Sequence, residues 1–181
     1  MKVIFSHGKE SGPWGSKITK LANIGKAQGF TVDSIDYSGI NSPDERVSKL
    51  NKYLANEAQP YILVGSSMGS YVSLVATQTS QSFNQSPNQP IGVFLLAPAL
   101  FMPDYQHQTY TTTFKNIEIV HGWSDDIIPV EHSIKYAKQA LCTLHLIDGD
   151  HRLNSSIEQV IELFEMFLLK TKAQHECVTR K

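Results

Sequence analysis

The segment Leu63-Val64-Gly65-Ser66-Ser67-Met68-Gly69-Ser70-Tyr71 decides how the chain folds, because a strand, a sharp turn and a helix meet within it. The apolar run at 61–64 is typical of a buried parallel strand. Apolar side chains at helical spacing predict a helix over 68–77. Between them lies Gly-x-Ser-x-Gly, with glycines where a tight strand-to-helix turn brings the backbone close to itself. The turn should project the Ser67 hydroxyl from the sheet edge, beside the helix N-terminus, as a candidate nucleophile.

Strands and helices alternate along the rest of the chain. Apolar runs predict strands at 2–6, 30–36, 61–64, 91–96, 117–120 and 142–147, and helical periodicity predicts helices at 17–28, 43–58, 68–77, 130–140 and 155–170. This alternation predicts an α/β three-layer sandwich, in which a central parallel sheet of about six strands has helices on both faces. We expect a single domain over residues 1–170, a solvated helix end followed by a surface loop over 77–90, an irregular segment over 101–113 and a frayed tail over 171–181.

Composition narrows the classes of partner and compartment. The 181 residues are 41% hydrophobic and 18% charged, and the net charge of −1 comes without a basic block, so no nucleic-acid partner is expected. Only two cysteines, Cys142 and Cys177, are present, which fits a reducing compartment. No apolar stretch approaches the roughly 20 residues of a membrane span. A strand that begins at residue 2 leaves no room for a signal peptide, so the sequence predicts a cytoplasmic protein without membrane contact.

Three residues with complementary chemistry follow three different predicted strands. A neutral serine is a weak nucleophile and needs a base, and the base needs a carboxylate that orients it and stabilises its charged form. Ser67, Asp125 and His151 supply these groups in that chain order. Because the carboxyl ends of parallel strands lie at one edge of a sheet, we expect the three side chains to converge there.

The motifs around these residues resemble those of the α/β-hydrolase superfamily, and the resemblance covers nearly the whole chain. The matching segments are His7-Gly8, Gly65-Ser66-Ser67-Met68-Gly69, His121-Gly122-x-x-Asp125-x-x-Ile128-Pro129 and Asp150-His151-Arg152-Leu153. Within the superfamily the chain is most similar to small, cap-less bacterial serine esterases. The two strands that usually precede the His-Gly strand are missing, and no lid insertion is visible over 97–116.

The resemblance implies a role for each residue. Ser67 would be the nucleophile, His151 the general base and acid, and Asp125 the carboxylate that orients His151. The backbone N–H groups of Met68 and Lys9 would form the oxyanion hole. The implied reaction is the hydrolysis of a small carboxylic ester or thioester through an acyl-enzyme, with no cofactor.

Other functions remain open on the sequence alone. The same residues could cleave amides or transfer acyl groups, or the chain could be a binding protein that keeps the fold without the chemistry. The aromatic and thioether side chains of loops near the site could line an acyl pocket or pack beneath their loops: Trp14, Tyr37, Phe101, Met102 and Trp123. Neither the natural substrate nor the oligomeric state is indicated.

Several residues near the motifs also have more than one interpretation. Asp126 is adjacent to Asp125 and is an alternative orienting acid, although its expected position is toward solvent. His7 and His121 also follow strands, and we expect them to be structural rather than catalytic. His121 with the two aspartates could bind a metal ion, but no third well-spaced ligand is apparent, so no metal is expected.

Overall fold

A computed structural model describes residues 1–82, 90–110 and 114–179. Within these residues, six strands form one sheet, in which every neighbouring pair is parallel. The strand order is β2-β1-β3-β4-β5-β6. The elements in chain order are β1 (Lys2–Ser6), α1 (Ser16–Ala27), β2 (Thr31–Ile35), α2 (Pro43–Leu54), β3 (Tyr61–Ser66), α3 (Met68–Ser82), β4 (Gly92–Leu96), β5 (Ile117–Gly122), α4 (Val130–Ala140), β6 (Thr143–Ile147) and α5 (Ile157–Thr179).

Helices cover both faces of the sheet, so the predicted three-layer α/β fold is confirmed. Alternate residues of each strand point to opposite faces. Val3 and Phe5 therefore pack in the apolar cluster that contains the buried side chains of α1 and α5, whereas Ile4 packs with those of α2, α3 and α4. Because both faces are buried, the strands carry near-continuous apolar runs, and this is why they could be recognised in the sequence.

The strand order creates a crevice at the carboxyl ends of β1 and β3. The chain leaves β1 through α1 to reach β2 on one side, and returns through α2 to β3 on the other side. Since α1 and α3 pack on opposite faces, the loops that follow β1 and β3 diverge from each other. Ligands of open α/β sheets bind at such a switch point. Ser67 directly follows β3 and therefore lies at this crevice.

Close backbone contacts explain both glycines of the turn around Ser67. A methyl group added at Gly69 would overlap the backbone of Ser6 at the end of β1, and one added at Gly65 would overlap the backbone of Ser70. No side chain larger than hydrogen fits at either position without a shift of the turn. The glycines thus let the first turn of α3 lie directly against β1.

Two helices extend beyond their predicted ends. Helix α5 runs to Thr179, so the prediction that a frayed tail begins at residue 171 was wrong. Thr171 is buried and its hydroxyl accepts a hydrogen bond from Asn116 Nδ2 at 3.0 Å, which fixes the helix beyond the predicted end. Helix α3 continues beyond residue 77 to Ser82, which fits the solvated helix end expected within 77–90. The Thr77 hydroxyl donates to the Leu74 carbonyl, so this polar side chain is satisfied within the helix.

Smaller differences concern the ends of α1 and α2. Helix α1 begins at Ser16, one residue before the predicted start at 17, and Gly15 precedes it without a side-chain cap. Ser42 does cap α2, because its hydroxyl accepts from the Glu45 N–H at 3.3 Å. Helix α2 ends at Leu54 rather than near residue 58. Residues 83–89 of the expected surface loop, 111–113 of the irregular segment and 180–181 of the tail lie outside the described residues.

Candidate active site

Ser67, His151 and Asp125 form a continuous hydrogen-bonded chain at the carboxyl edge of the sheet. His151 Nε2 lies 3.0 Å from Ser67 Oγ, and His151 Nδ1 lies 2.8 Å from Asp125 Oδ2. A carboxylate only accepts, so Nδ1–H donates to Asp125 and Nε2 accepts the hydroxyl proton of Ser67. The sheet thus brings together the three residues that the motifs singled out, in the arrangement of nucleophile, base and orienting acid.

The backbone holds Ser67 in an uncommon conformation. Its φ of +56° lies in the left-handed region, which residues other than glycine seldom adopt. The Ser67 N–H donates to the Leu96 carbonyl at 2.9 Å, and the Ser67 carbonyl accepts from Ala99 N–H at 3.2 Å and Ser70 N–H at 2.9 Å. The end of β4 and the first turn of α3 therefore keep the strained residue in place, as occurs at functional turns.

Asp125 is a fully buried carboxylate with well-satisfied oxygens. Among the described residues, four N–H groups donate to it: those of Ile127 and Ile128 to Oδ1 at 2.9 and 2.8 Å, and those of His151 and His121 to Oδ2 at 2.8 and 2.9 Å. Burial raises the pKa of Asp125, but the hydrogen bonds from the Ile128 backbone, His151 and the Ile127 backbone outweigh it, so the pKa is lowered overall. Asp125 is therefore ionised and able to hold His151 in one tautomer.

Asp126, the alternative acid, is exposed. Asp125 faces His151 because the loop after β5 lies directly on the loop after β6. Trp123 N–H donates to the Ile147 carbonyl at 2.9 Å, and Ser124 N–H donates to the Gly149 carbonyl at 3.0 Å. The contact is so close that a methyl group at Gly122 would overlap Gly149. These backbone bonds set the relative position of the acid and the base.

His121 is a second histidine on the same carboxylate. It is fully buried, and its Nε2 faces two acceptors, Asp125 Oδ2 at 2.9 Å and the Ile128 carbonyl at 3.2 Å, so Nε2 carries the proton. Burial lowers the pKa of His121 despite the nearby carboxylate, so the ring is neutral and its Nδ1 accepts from the Ser133 hydroxyl at 2.7 Å. From the sequence, His121 was expected to be a structural residue. Its alternative roles, as the base or as a metal ligand, were remote. Its position four residues before the acid was the signal for this contact.

The loop after β1 passes next to Ser67. A methyl group added at Gly8 would lie 3.5 Å from both the Ser67 Cβ and the Ser66 carbonyl oxygen. Lys9 follows Gly8 directly and has an exposed side chain. On the other side of Ser67, Met68 begins α3, whose first N–H groups have no acceptor within the helix. Of the two residues expected to form an oxyanion hole, Met68 thus follows the serine directly in the chain, and Lys9 follows a glycine that lies against the serine.

The expected pocket side chains divide into two groups. Tyr37 is fully buried, and its hydroxyl lies 3.0 Å from Ser6 Oγ, so this side chain packs beneath its loop. The other four side chains are accessible to solvent, with Trp14 and Trp123 49% and 56% exposed and Phe101 and Met102 half-buried. Only these four remain candidates for contact with a substrate.

Two further classes of site are absent from residues 1–82, 90–110 and 114–179. No three His, Cys, Asp or Glu side chains come together there as metal ligands do. None of the described helices is long and apolar enough to span a bilayer.

A scan against protein-family models finds no match, and a search of curated proteins finds none either. Among solved structures, a protein assigned to the hydrolases of the alpha/beta superfamily from Xanthomonas campestris pv. campestris is similar, with a TM-score of 0.81 and 27% identity over 93% of this chain and 98% of the other. Est1E from Butyrivibrio proteoclasticus has a TM-score of 0.77 and 18% identity over 95% and 88% of the two chains.

The mouse alpha/beta hydrolase domain-containing protein 10 has a TM-score of 0.73 and 18% identity, covering 93% of this chain and 90% of its own. These likenesses extend over nearly the full length of each protein, and they show a shared fold. The chain therefore has the fold of the α/β-hydrolase superfamily, as its motifs indicated.

Proposed function

We propose that the chain is a serine hydrolase that cleaves carboxylic esters or thioesters of small substrates through an acyl-enzyme on Ser67. The observation that carries this proposal is the hydrogen-bonded chain from a buried, ionised carboxylate through His151 to the serine oxygen. A hydroxyl that only stabilised the fold would not need a base at its oxygen, nor a strained backbone that exposes it at a sheet edge.

The proposed reaction begins when Ser67 Oγ bonds to the carbonyl carbon of the substrate and His151 Nε2 takes the hydroxyl proton. The ionised Asp125 stabilises the imidazolium that forms. As the tetrahedral intermediate collapses, the bond to the alcohol or thiol breaks, and His151 returns its proton to that leaving group. A water molecule then attacks the acyl-enzyme with the same proton transfers, which releases the acid and restores the serine.

The negative charge of the tetrahedral intermediate needs fixed N–H donors. We assign this task to the backbone N–H groups of Met68 and Lys9, which flank Ser67 from α3 and from the loop after β1. A single donor of this kind typically stabilises the transition state by about 2.7–4 kcal/mol. The dipole of α3, with its N-terminus at the serine, adds to the same stabilisation.

Covalent labelling tests the proposal directly. A fluorophosphonate probe should add one mass increment to the intact protein, and peptide mapping should locate it on Ser67. The Ser67→Ala variant should not be labelled, whereas the Ser66→Ala control should be labelled at the wild-type rate. Label on a different serine, or no label on a folded wild-type protein, would contradict the mechanism.

The same residues could instead direct acyl groups to amines or alcohols, and product analysis separates these reactions. With an added alcohol, a hydrolase still releases mainly the free acid, whereas a transferase releases a new ester. A folded protein that turns over no p-nitrophenyl ester at all would support a binding protein instead.

Short acyl chains should be preferred over long ones. The segment between β4 and β5, where it is described at 97–110 and 114–116, contains no helix or strand that could form a lid. A deep groove would add roughly 0.8 kcal/mol for each buried methylene, so kcat/KM would rise with each carbon. We expect instead a maximum at about C2–C6, measured on a series of p-nitrophenyl esters, as a shallow pocket fills. A steady rise to dodecanoate would contradict this prediction.

Removing the second histidine on the acid should slow the reaction. The His121→Phe variant loses the N–H that donates to Asp125 Oδ2, and a hydrogen bond to a charged group contributes about 1.5–3 kcal/mol. At 1.36 kcal/mol for each factor of ten, kcat on a short ester should fall by roughly 10- to 150-fold. The control Ser133→Ala leaves that N–H in place and should lose less than about threefold. Equal activity of His121→Phe and wild type would mean that the backbone of the loop suffices to hold Asp125.

A further inference from the structure

We propose that Arg46 and His7 are positioning residues that aim the backbone N–H of Lys9 at the carbonyl oxygen of the substrate. The inference rests on the proposed function, because it concerns the oxyanion hole of that reaction. It follows from the hydrogen bonds that these two buried side chains make to the peptide unit between Gly8 and Lys9.

Arg46 is a buried cation that donates to main-chain carbonyls. It lies on α2 and is only 2% exposed. Its Nε donates to the Ile40 carbonyl at 2.7 Å, and its Nη1 donates to the carbonyls of Gly8 at 3.1 Å and His7 at 3.3 Å. In the described part of the chain, no carboxylate pairs with this guanidinium. Burying a cation without a carboxylate partner costs free energy of folding. We therefore infer that the hydrogen bonds of Arg46 serve to fix the positions of these carbonyls.

His7 adds a second donor to the same carbonyl. Its Nε2 lies 3.0 Å from the backbone N of Tyr37, which can only donate, so Nε2 is the acceptor and the proton is on Nδ1. Nδ1 lies 2.7 Å from the Gly8 carbonyl oxygen and donates to it. Burial lowers the pKa of His7, which keeps the ring neutral and supports this single tautomer.

Planarity of the peptide bond transmits this constraint to Lys9. In a trans peptide the C=O of one residue and the N–H of the next point in opposite directions. Two donors from the interior hold the Gly8 carbonyl inward, so the Lys9 N–H points outward from Arg46. Gly8 itself lies against Ser67, and the proposal places the serine on the outer side of this peptide. If the peptide rotated, a carbonyl oxygen would face the developing negative charge in place of the N–H.

Matched variants of His7 separate positioning from packing. The amide nitrogen of His7→Asn occupies the place of Nδ1 and can still donate to the Gly8 carbonyl. The amide of His7→Gln reaches only the place of Nε2, so the hydrogen bond to the Gly8 carbonyl is lost. Loss of a full oxyanion donor costs about 10²–10³ in kcat. In His7→Gln the Lys9 N–H is still present but poorly aimed, so we expect kcat to fall by roughly 10- to 100-fold with KM within about twofold. For His7→Asn we expect kcat to fall by less than about threefold.

Arg46→Lys provides an independent test, because a single ammonium replaces the planar guanidinium whose Nε and Nη1 donate separately to the carbonyls of Ile40 and Gly8. It should show the same loss in kcat with unchanged KM. Amide ¹⁵N relaxation gives a readout that does not need turnover: the Lys9 N–H should have an order parameter near 0.85 in wild type and in His7→Asn, and below about 0.6 in His7→Gln and Arg46→Lys.

The outcomes distinguish this inference from the proposed function. A Lys9 amide that stays rigid in folded His7→Gln and Arg46→Lys, or kcat values equal to wild type, would overturn the positioning role. Parallel losses of thermal stability in both His7 variants, with equal kcat, would also overturn it in favour of simple packing. A wild-type protein that neither hydrolyses esters nor reacts with fluorophosphonate overturns the proposed function itself, whatever the Lys9 amide does.

Discussion

Replacement of Ser67 by alanine should lower kcat on a short p-nitrophenyl ester by about 10⁶-fold, and His151→Ala should cause about the same loss. Without the hydroxyl no acyl-enzyme forms, and without the imidazole the hydroxyl keeps its proton. Because both residues act in one proton transfer, as their 3.0 Å contact indicates, the double variant should be no slower than either single variant. Steady-state kinetics on the three purified variants measures this non-additivity.

Binding should survive these substitutions. The oxyanion donors and the loops around the site are unchanged, so a residual rate enhancement of about 10³–10⁴ over water is expected. A circular-dichroism melt should show that all three variants are folded. Losses that multiply in the double variant would mean that Ser67 and His151 act in separate steps, and a loss below about a hundredfold in Ser67→Ala would mean that another group is the nucleophile.

The second large effect is expected for Asp125→Asn, which should reduce kcat by about 10⁴-fold. The Oδ1 atom accepts two backbone N–H groups and would remain the oxygen of the amide, so the new NH₂ group would face the two histidines. An NH₂ group cannot accept from His151 Nδ1–H, and the ring would change tautomer to place a proton on Nε2. A protonated Nε2 cannot take the proton of Ser67, so the base is lost.

Asp126→Asn is the matched control. Asp126 is exposed, and charges in contact with solvent are largely screened, so kcat should change by less than about tenfold. Both variants should be measured on the same ester and checked for folding by thermal unfolding. The reverse ranking would make Asp126 the orienting acid, and two equally small losses would mean that neither carboxylate orients His151.

The layered fold could be predicted because its strands are buried on both faces and read as apolar runs. Helix ends were harder to predict, since they depend on contacts between distant segments. The end of α5 is an example: Thr171 is held by Asn116, and Lys172 Nζ donates to the Gln28 carbonyl at 3.3 Å. Neither contact has a signature in the local sequence.

The three residues of the candidate site could be predicted because each stands in a motif at the end of a strand. The supporting residues could not. Arg46 lies on the same face of α2 as Leu50 and Leu54. A cation on an apolar helix face could have indicated a buried arginine, but this signal was not used. The burial of Tyr37 was left open, because loop position alone does not tell whether a side chain faces the solvent or the core.

The position of β6 at the end of the sheet has a consequence for protein synthesis. Ser67 and His151 are 84 residues apart in the chain. At roughly 5–20 residues per second on the ribosome, about 4–17 s pass between the synthesis of the two residues. A nascent chain thus carries the serine without its base, and under the proposed mechanism it cannot be acylated. Incomplete nascent chains would therefore not hydrolyse esters. They would also not be acylated by esters before the last strand joins the sheet.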